Sequence, residues 1–155
     1  MKKILYLLVL FYNPVFSQES KIDTLKYCLS ADHVGVGGFD PVGYFQGKAQ
    51  QGLPNISTRL DGVKYHFVSE EHKNAFIANP LFYLPQYGGW CSMTLAMGRA
   101  TAPKYDNFLV SEGKLYLFER TLSVNGRELW LKDPLRNEKI AAKNYAGLIK
   151  SGRIK

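Results

Sequence analysis

Few residues in this chain can do chemistry. They are two cysteines, Cys28 and Cys91, three histidines, His33, His66 and His72, and Asp40, a carboxylate set directly before Pro41. Cys91 follows Tyr87-Gly88-Gly89-Trp90 and is expected in the first turn of a helix. Amides at a helix start favour a thiolate, the form that ligates a soft metal or attacks an electrophile. The same cysteine can instead pack as a small hydrophobe or pair with Cys28 in a disulfide. His72 can offer an imidazole to a metal, or sit at a helix start with one nitrogen satisfied. His66 falls on the outer face of a strand and is expected half-exposed, and His33 falls in a loop. Asp40 can ligate a cation or cap a turn. Met93 and Met97, four apart, can present thioethers to copper or fill a core.

No nucleophile–base–acid set is visible among these residues, so the chain reads on balance as a non-enzyme, with a thiol-dependent enzyme using Cys91 as the weakest alternative. A Cys-x-x-Cys or His-x-x-x-His pair is also missing, so any metal site must be assembled from distant segments. The candidate metal ligands are Cys91, His72, Asp40 and His66, with copper or zinc as the metal. The alternative is a small apolar ligand or partner protein held by an aromatic surface, for which Tyr44, Tyr87 and Trp90 are the candidate lining.

These side chains must be positioned by hairpins and short helices. Asp61-Gly62, between Ser57–Leu60 and Val63–Phe67, is a two-residue hairpin signal. It puts Val63, Tyr65 and Phe67 on the core face and Lys64, His66 and Val68 on the other. Ser69 reads as the N-cap of a helix that opens with Glu70 and Glu71 and ends at Asn79-Pro80. Pro80 to Leu84 can form another helical turn, and Tyr87-Gly88-Gly89 a tight bend. Trp90 to Met97 reads as a helix closed by Gly98. A second hairpin turns at Glu112-Gly113. Apolar residues then recur at helical intervals from about Asn125 to Leu148, interrupted by Pro134.

Composition bounds the class. A chain of 155 residues, 46% hydrophobic and 21% charged, has room for one globular domain. The predicted fold class is α+β, a small antiparallel sheet of hairpins with short helices packed on it. Lys2 and Lys3, then an apolar run from Ile4 to Tyr12, read as a secretory signal over residues 1–17, too short to span a bilayer. A linker would follow over 18–35, then a domain over 36–148 ending in a helical extension, then a basic tail over 149–155. The expected location is periplasmic or secreted, with no transmembrane segment once the signal is removed. Setting aside Lys2 and Lys3 lowers the formal charge from +7 to +5. Acidic residues interleave with the C-terminal basic ones, which suits a solvated helix face. No nucleic-acid motif is present.

Three ordered blocks then support a resemblance. They are Gly38-Phe-Asp-Pro-Val-Gly-Tyr-Phe45, the run from Asp61 to Pro80, and Pro85-Gln-Tyr-Gly-Gly-Trp-Cys91 with Gly113-Lys-Leu-Tyr-Leu117 beyond it. Together they resemble the YHS-domain family, in particular its exported single-domain members, over about residues 36–145. The resemblance implies an α+β module with a Ser-capped helix on a small sheet. It also implies heavy-metal binding through cysteines in many members, at positions matched here by Gly43, Val68 and His72. Exported relatives share the Tyr-Gly-Gly-aromatic-Cys block, which makes Cys91 the alternative thiol.

Overall fold

A computed structural model describes residues 25–152. The predicted signal over 1–17, residues 18–24 of the predicted linker and residues 153–155 of the basic tail lie outside the described residues.

The chain is an α+β protein. The stretch leading into the domain is not plain linker: Leu29–Ser30 (β1) and Val34–Gly35 (β2) pair antiparallel. Leu53–Leu60 (β3) and Val63–Phe67 (β4) form the first hairpin, and the sheet order is β1-β2-β4-β3. One pair departs from the antiparallel pattern, with Val34 of β2 beside Lys64 of β4 in parallel. Asp61 and Gly62 both have positive φ, 50° and 80°. That is the backbone a two-residue turn needs to match the twist of its strands.

Helix α1, Glu70–Ala78, starts as predicted: Ser69 Oγ accepts the His72 amide at 3.2 Å, and both glutamates lie in the first turn. A short helix α2, Pro80–Tyr83, follows, with Pro80 in its first turn. Helix α3 is shorter than the predicted span and covers Ser92–Ala96. Tyr87, Gly88 and Gly89 have positive φ, Trp90 and Cys91 are extended, and the Cys91 amide donates to the Thr101 carbonyl at 3.0 Å. Those extended dihedrals keep Trp90 and Cys91 out of the helix, which begins at Ser92 with Cys91 as its N-cap.

Lys104–Ser111 (β5) and Lys114–Phe118 (β6) form the second hairpin, turned at Glu112-Gly113. Gly126–Trp130 (α4) and Pro134–Ser151 (α5) close the described chain. Pro134 opens α5, where its missing N–H costs nothing. Asp133 caps the helix by accepting the Arg136 amide, and Gly152 ends it in the left-handed region. So α5 runs past residue 148 into the predicted basic tail.

Two apolar clusters hold these elements. The first joins Val63, Tyr65 and Phe67 of β4 to Phe76 of α1, Tyr44, and Leu115 and Leu117 of β6. The face predicted to be core is therefore core. The second gathers Tyr87, Leu95, Tyr116, Phe118, Trp130 and Ala141. Asn144 Nδ2 donates to the Leu95 carbonyl at 2.7 Å and fixes α5 against α3. Among the described residues, no helix is long and apolar enough to cross a membrane.

Candidate functional site

Asp40 organises one end of the molecule. Its side chain is completely buried and accepts from four donors. Oδ1 takes the amides of Val42 at 2.9 Å and Gly43 at 3.4 Å. Oδ2 takes the Val68 amide at 2.9 Å and the His72 ring, through Nδ1, at 2.7 Å. Pro41 favours this, because a residue before proline is biased toward an extended backbone, from which an aspartate carboxylate can accept from the following turn. With Nδ1 donating to Asp40, the other ring nitrogen of His72 accepts from the Gln46 amide, 3.1 Å away. The pair joins the Asp40-Pro41-Val42 turn to the start of α1.

His66 is not half-exposed as predicted but buried, at 8%. The segment from Gly37 to Gly52 folds over that face of β4. A methyl group on Gly52 would lie 2.5 Å from the His66 carbonyl carbon, so only a glycine lets the chain pass this close. The packing leaves His66 Nε2 buried without a partner. Burial, and then the Lys64 charge, lower the pKa of this imidazole.

Cys91 is fully buried in a different place. Its Sγ accepts the Thr94 amide at 3.4 Å and the Glu119 amide at 3.1 Å, so it caps α3 and pins the end of β6. Cys28 and Cys91 are both buried free thiols and form no disulfide with each other. Burial raises the Cys28 pKa, an effect partly offset by a hydrogen bond with Tyr105. Of the four candidate ligands, the structure joins only Asp40 and His72. Among the described residues, no three His, Cys, Asp or Glu side chains converge to hold a metal ion. His33 is exposed.

The three candidate aromatics do not line a common pocket. Tyr44 is core, with its hydroxyl donating to the Tyr105 carbonyl at 2.8 Å. Tyr87 is core beside Tyr116 and Tyr145. Trp90 is half-buried and donates Nε1 to the Leu25 carbonyl.

A cavity of about 210 Å³ opens elsewhere, between β1, β2, β4, α2 and α5. Tyr27, Leu29, Val63, Tyr65, Leu84 and Tyr145 line it, together with the charged residues Lys26 and Asp61. The walls are tied down. Tyr27 Oη donates to Asp61 Oδ2 at 3.2 Å, and Tyr145 Oη donates to the Lys26 carbonyl at 2.8 Å. Gly35 forms part of the wall because a side chain there would collide with Val63 and Tyr65. Burial raises the pKa of Tyr65, so its hydroxyl stays protonated near neutrality. Sequence reading missed this site because its walls come from segments read separately as linker, core strand and helical extension. The repeated tyrosines at 27, 65 and 145 share no spacing that would link them.

Comparison with protein-family models, curated proteins and solved structures yields no match.

Proposed function

We propose that this protein is an exported binding module whose ligand is a small apolar molecule carrying one ring or a short chain. The cavity between Tyr27, Tyr65, Leu84 and Tyr145 carries this reading. Its volume exceeds the ~150 Å³ of a dry apolar cavity that binds benzene. Tyrosines in its wall give an apolar body with hydroxyls that can orient a ligand. Lys2, Lys3 and the apolar run after them support export, and the three motif blocks support a YHS-like module.

Thermal unfolding of the mature chain with indole, p-cresol and hexanol tests the reading, with glycerol as the control. A fitting probe present at about 100 times its Kd stabilises by roughly 2.7 kcal/mol. Leu84→Trp, which fills the cavity, removes that shift. The reading fails if no probe raises the Tm, or if Leu84→Trp responds as the wild type does.

One observation favours a second reading, transition-metal binding. A buried carboxylate holding Nδ1 of an imidazole is the arrangement that orients Nε2 toward a metal, and Asp40 and His72 have it, with a metal having to displace the Gln46 amide from Nε2. The positions at which YHS relatives carry thiols, Gly43, Val68 and His72, all donate to Asp40 here, so no thiol stands beside that imidazole. Elemental analysis of protein purified without chelator decides it. Stoichiometric copper or zinc that disappears in His72→Gln supports metal binding, and metal no higher than in that variant rejects it.

A further inference from the structure

A second cavity, of about 220 Å³, lies between α3, the end of β6 and the start of α4. Its apolar wall is Met93, Met97, Val124 and Leu129. Met97 and Val124 form an open lip, 53% and 49% exposed. Two side chains of opposite charge, Arg99 and Glu119, line the same space. They do not pair with each other: among the described residues, neither takes part in any of the ion pairs.

Glu119 is held in place. Its Oε2 accepts the Thr101 hydroxyl at 2.9 Å, and Thr101 Oγ1 lies 2.9 Å from Thr94 Oγ1. Its backbone amide is fixed by Cys91 Sγ at 3.1 Å. Oε1 has no hydrogen bond among the described residues and remains available. The Arg99 backbone is anchored by its amide to the Thr94 carbonyl at 2.8 Å, while the side chain has no partner among the described residues.

A hollow with an apolar wall that also presents a cation and an anion not paired with each other matches a ligand carrying both charges and an apolar body. A monovalent amphiphile would satisfy one group and leave a like charge facing it. We propose that this cavity binds a free α-amino acid with an apolar side chain. Its carboxylate meets the Arg99 guanidinium, whose forked donors suit a carboxylate. Its ammonium group meets Glu119 Oε1, and its side chain packs against Met93, Met97 and Leu129. Methionines adapt to side chains of differing shape, so leucine, methionine and phenylalanine are all accommodated.

Calorimetric titration of the mature chain with L-leucine tests this, beside isoamylamine and 4-methylpentanoate, which lack the carboxylate and the ammonium group respectively. L-Leucine is expected to bind, and each analogue at least about tenfold more weakly, because each forfeits one charge-assisted contact. Arg99→Gln is expected to erase the advantage of leucine over isoamylamine. Glu119→Gln is expected to erase its advantage over 4-methylpentanoate. These two comparisons are ratios within one folded variant, so a general loss of stability does not mimic them. Equal affinities for all three compounds, or no saturable binding of leucine at millimolar concentration, overturn the proposal. Leucine binding that survives both substitutions unchanged also overturns it, because the site then lies elsewhere.

Discussion

Asp40 Oδ2 and His72 Nδ1 lie 2.7 Å apart, 32 residues distant in sequence, with the carboxylate wholly buried and the imidazole nearly so. The carboxylate also holds three backbone amides, so its removal leaves four donors without an acceptor. Asp40→Ala is expected to destabilise by about 3–5 kcal/mol, the summed cost of leaving several buried donors unsatisfied. His72→Ala is expected to cost less, about 1–3 kcal/mol, since Asp40 keeps its amides. Urea unfolding of both single variants and the double variant checks this: the summed single effects should exceed the double by about 1 kcal/mol or more. Strict additivity would mean that the contact contributes nothing.

Cys91 accepts two backbone amides and has no access to solvent. Cys91→Ala removes the acceptor from both amides and is expected to cost about 1–3 kcal/mol, while Cys91→Ser retains an acceptor and costs less. In native protein both thiols should react slowly with a water-soluble disulfide reagent, and both should titrate in denaturant. A native Cys91 that reacts as fast as a free thiol would show that it is not sealed in this way.

His66 provides an acid-sensitive step. Burial first, and Lys64 second, hold its folded-state pKa below the ordinary 6.5. The folded state therefore binds fewer protons than the unfolded chain as pH falls below 6.5. This group's contribution to stability is complete above that value and is lost on acidification, until the folded-state value is reached. Between about pH 7.5 and about 5.5 the urea midpoint of the wild type should fall, and that of His66→Phe should fall less. Parallel curves for the two proteins would exclude His66 as the source.

Two glycines near Cys91 should respond differently. Gly88 has φ 61°, and a methyl group there would lie 1.8 Å from the Lys26 carbonyl oxygen. Gly98 has φ 80° but nothing within 4 Å. Gly98→Ala should cost roughly 1–2 kcal/mol of left-handed backbone strain, and Gly88→Ala well beyond that, because backbone must also move. Thermal unfolding distinguishes them, and equal losses would contradict the close approach of segment 26–28 to this bend.

Much of the fold was legible wherever a local rule acts over a few residues. Asp61-Gly62 and Glu112-Gly113 marked their hairpins, Ser69 its helix, and Val63, Tyr65 and Phe67 the buried face. Reading failed where distant chain decides the outcome. His66 looked half-exposed because strand alternation cannot reveal the glycine-lined segment that covers it. The start of α3 looked earlier because nothing in the local sequence marks the extended backbone of Trp90 and Cys91. Of the candidate site, the Asp40–His72 pair was anticipated only as two separate residues, since nothing at a separation of 32 marks a contact. Tyr44 and Tyr87 lie in the core, while the cavity is lined by Tyr27, Tyr65 and Tyr145.

The apolar-ligand reading meets its most direct test in methyl-detected NMR of residues 18–155 titrated with indole. Expected are saturable shifts confined to the methyls that line the cavity, those of Leu29, Val36, Val63, Leu81 and Leu84, with contacts between ligand and those methyls, all lost in Leu84→Trp. Shifts absent up to the solubility limit of indole, or centred on other methyls, would contradict ligand binding in this cavity.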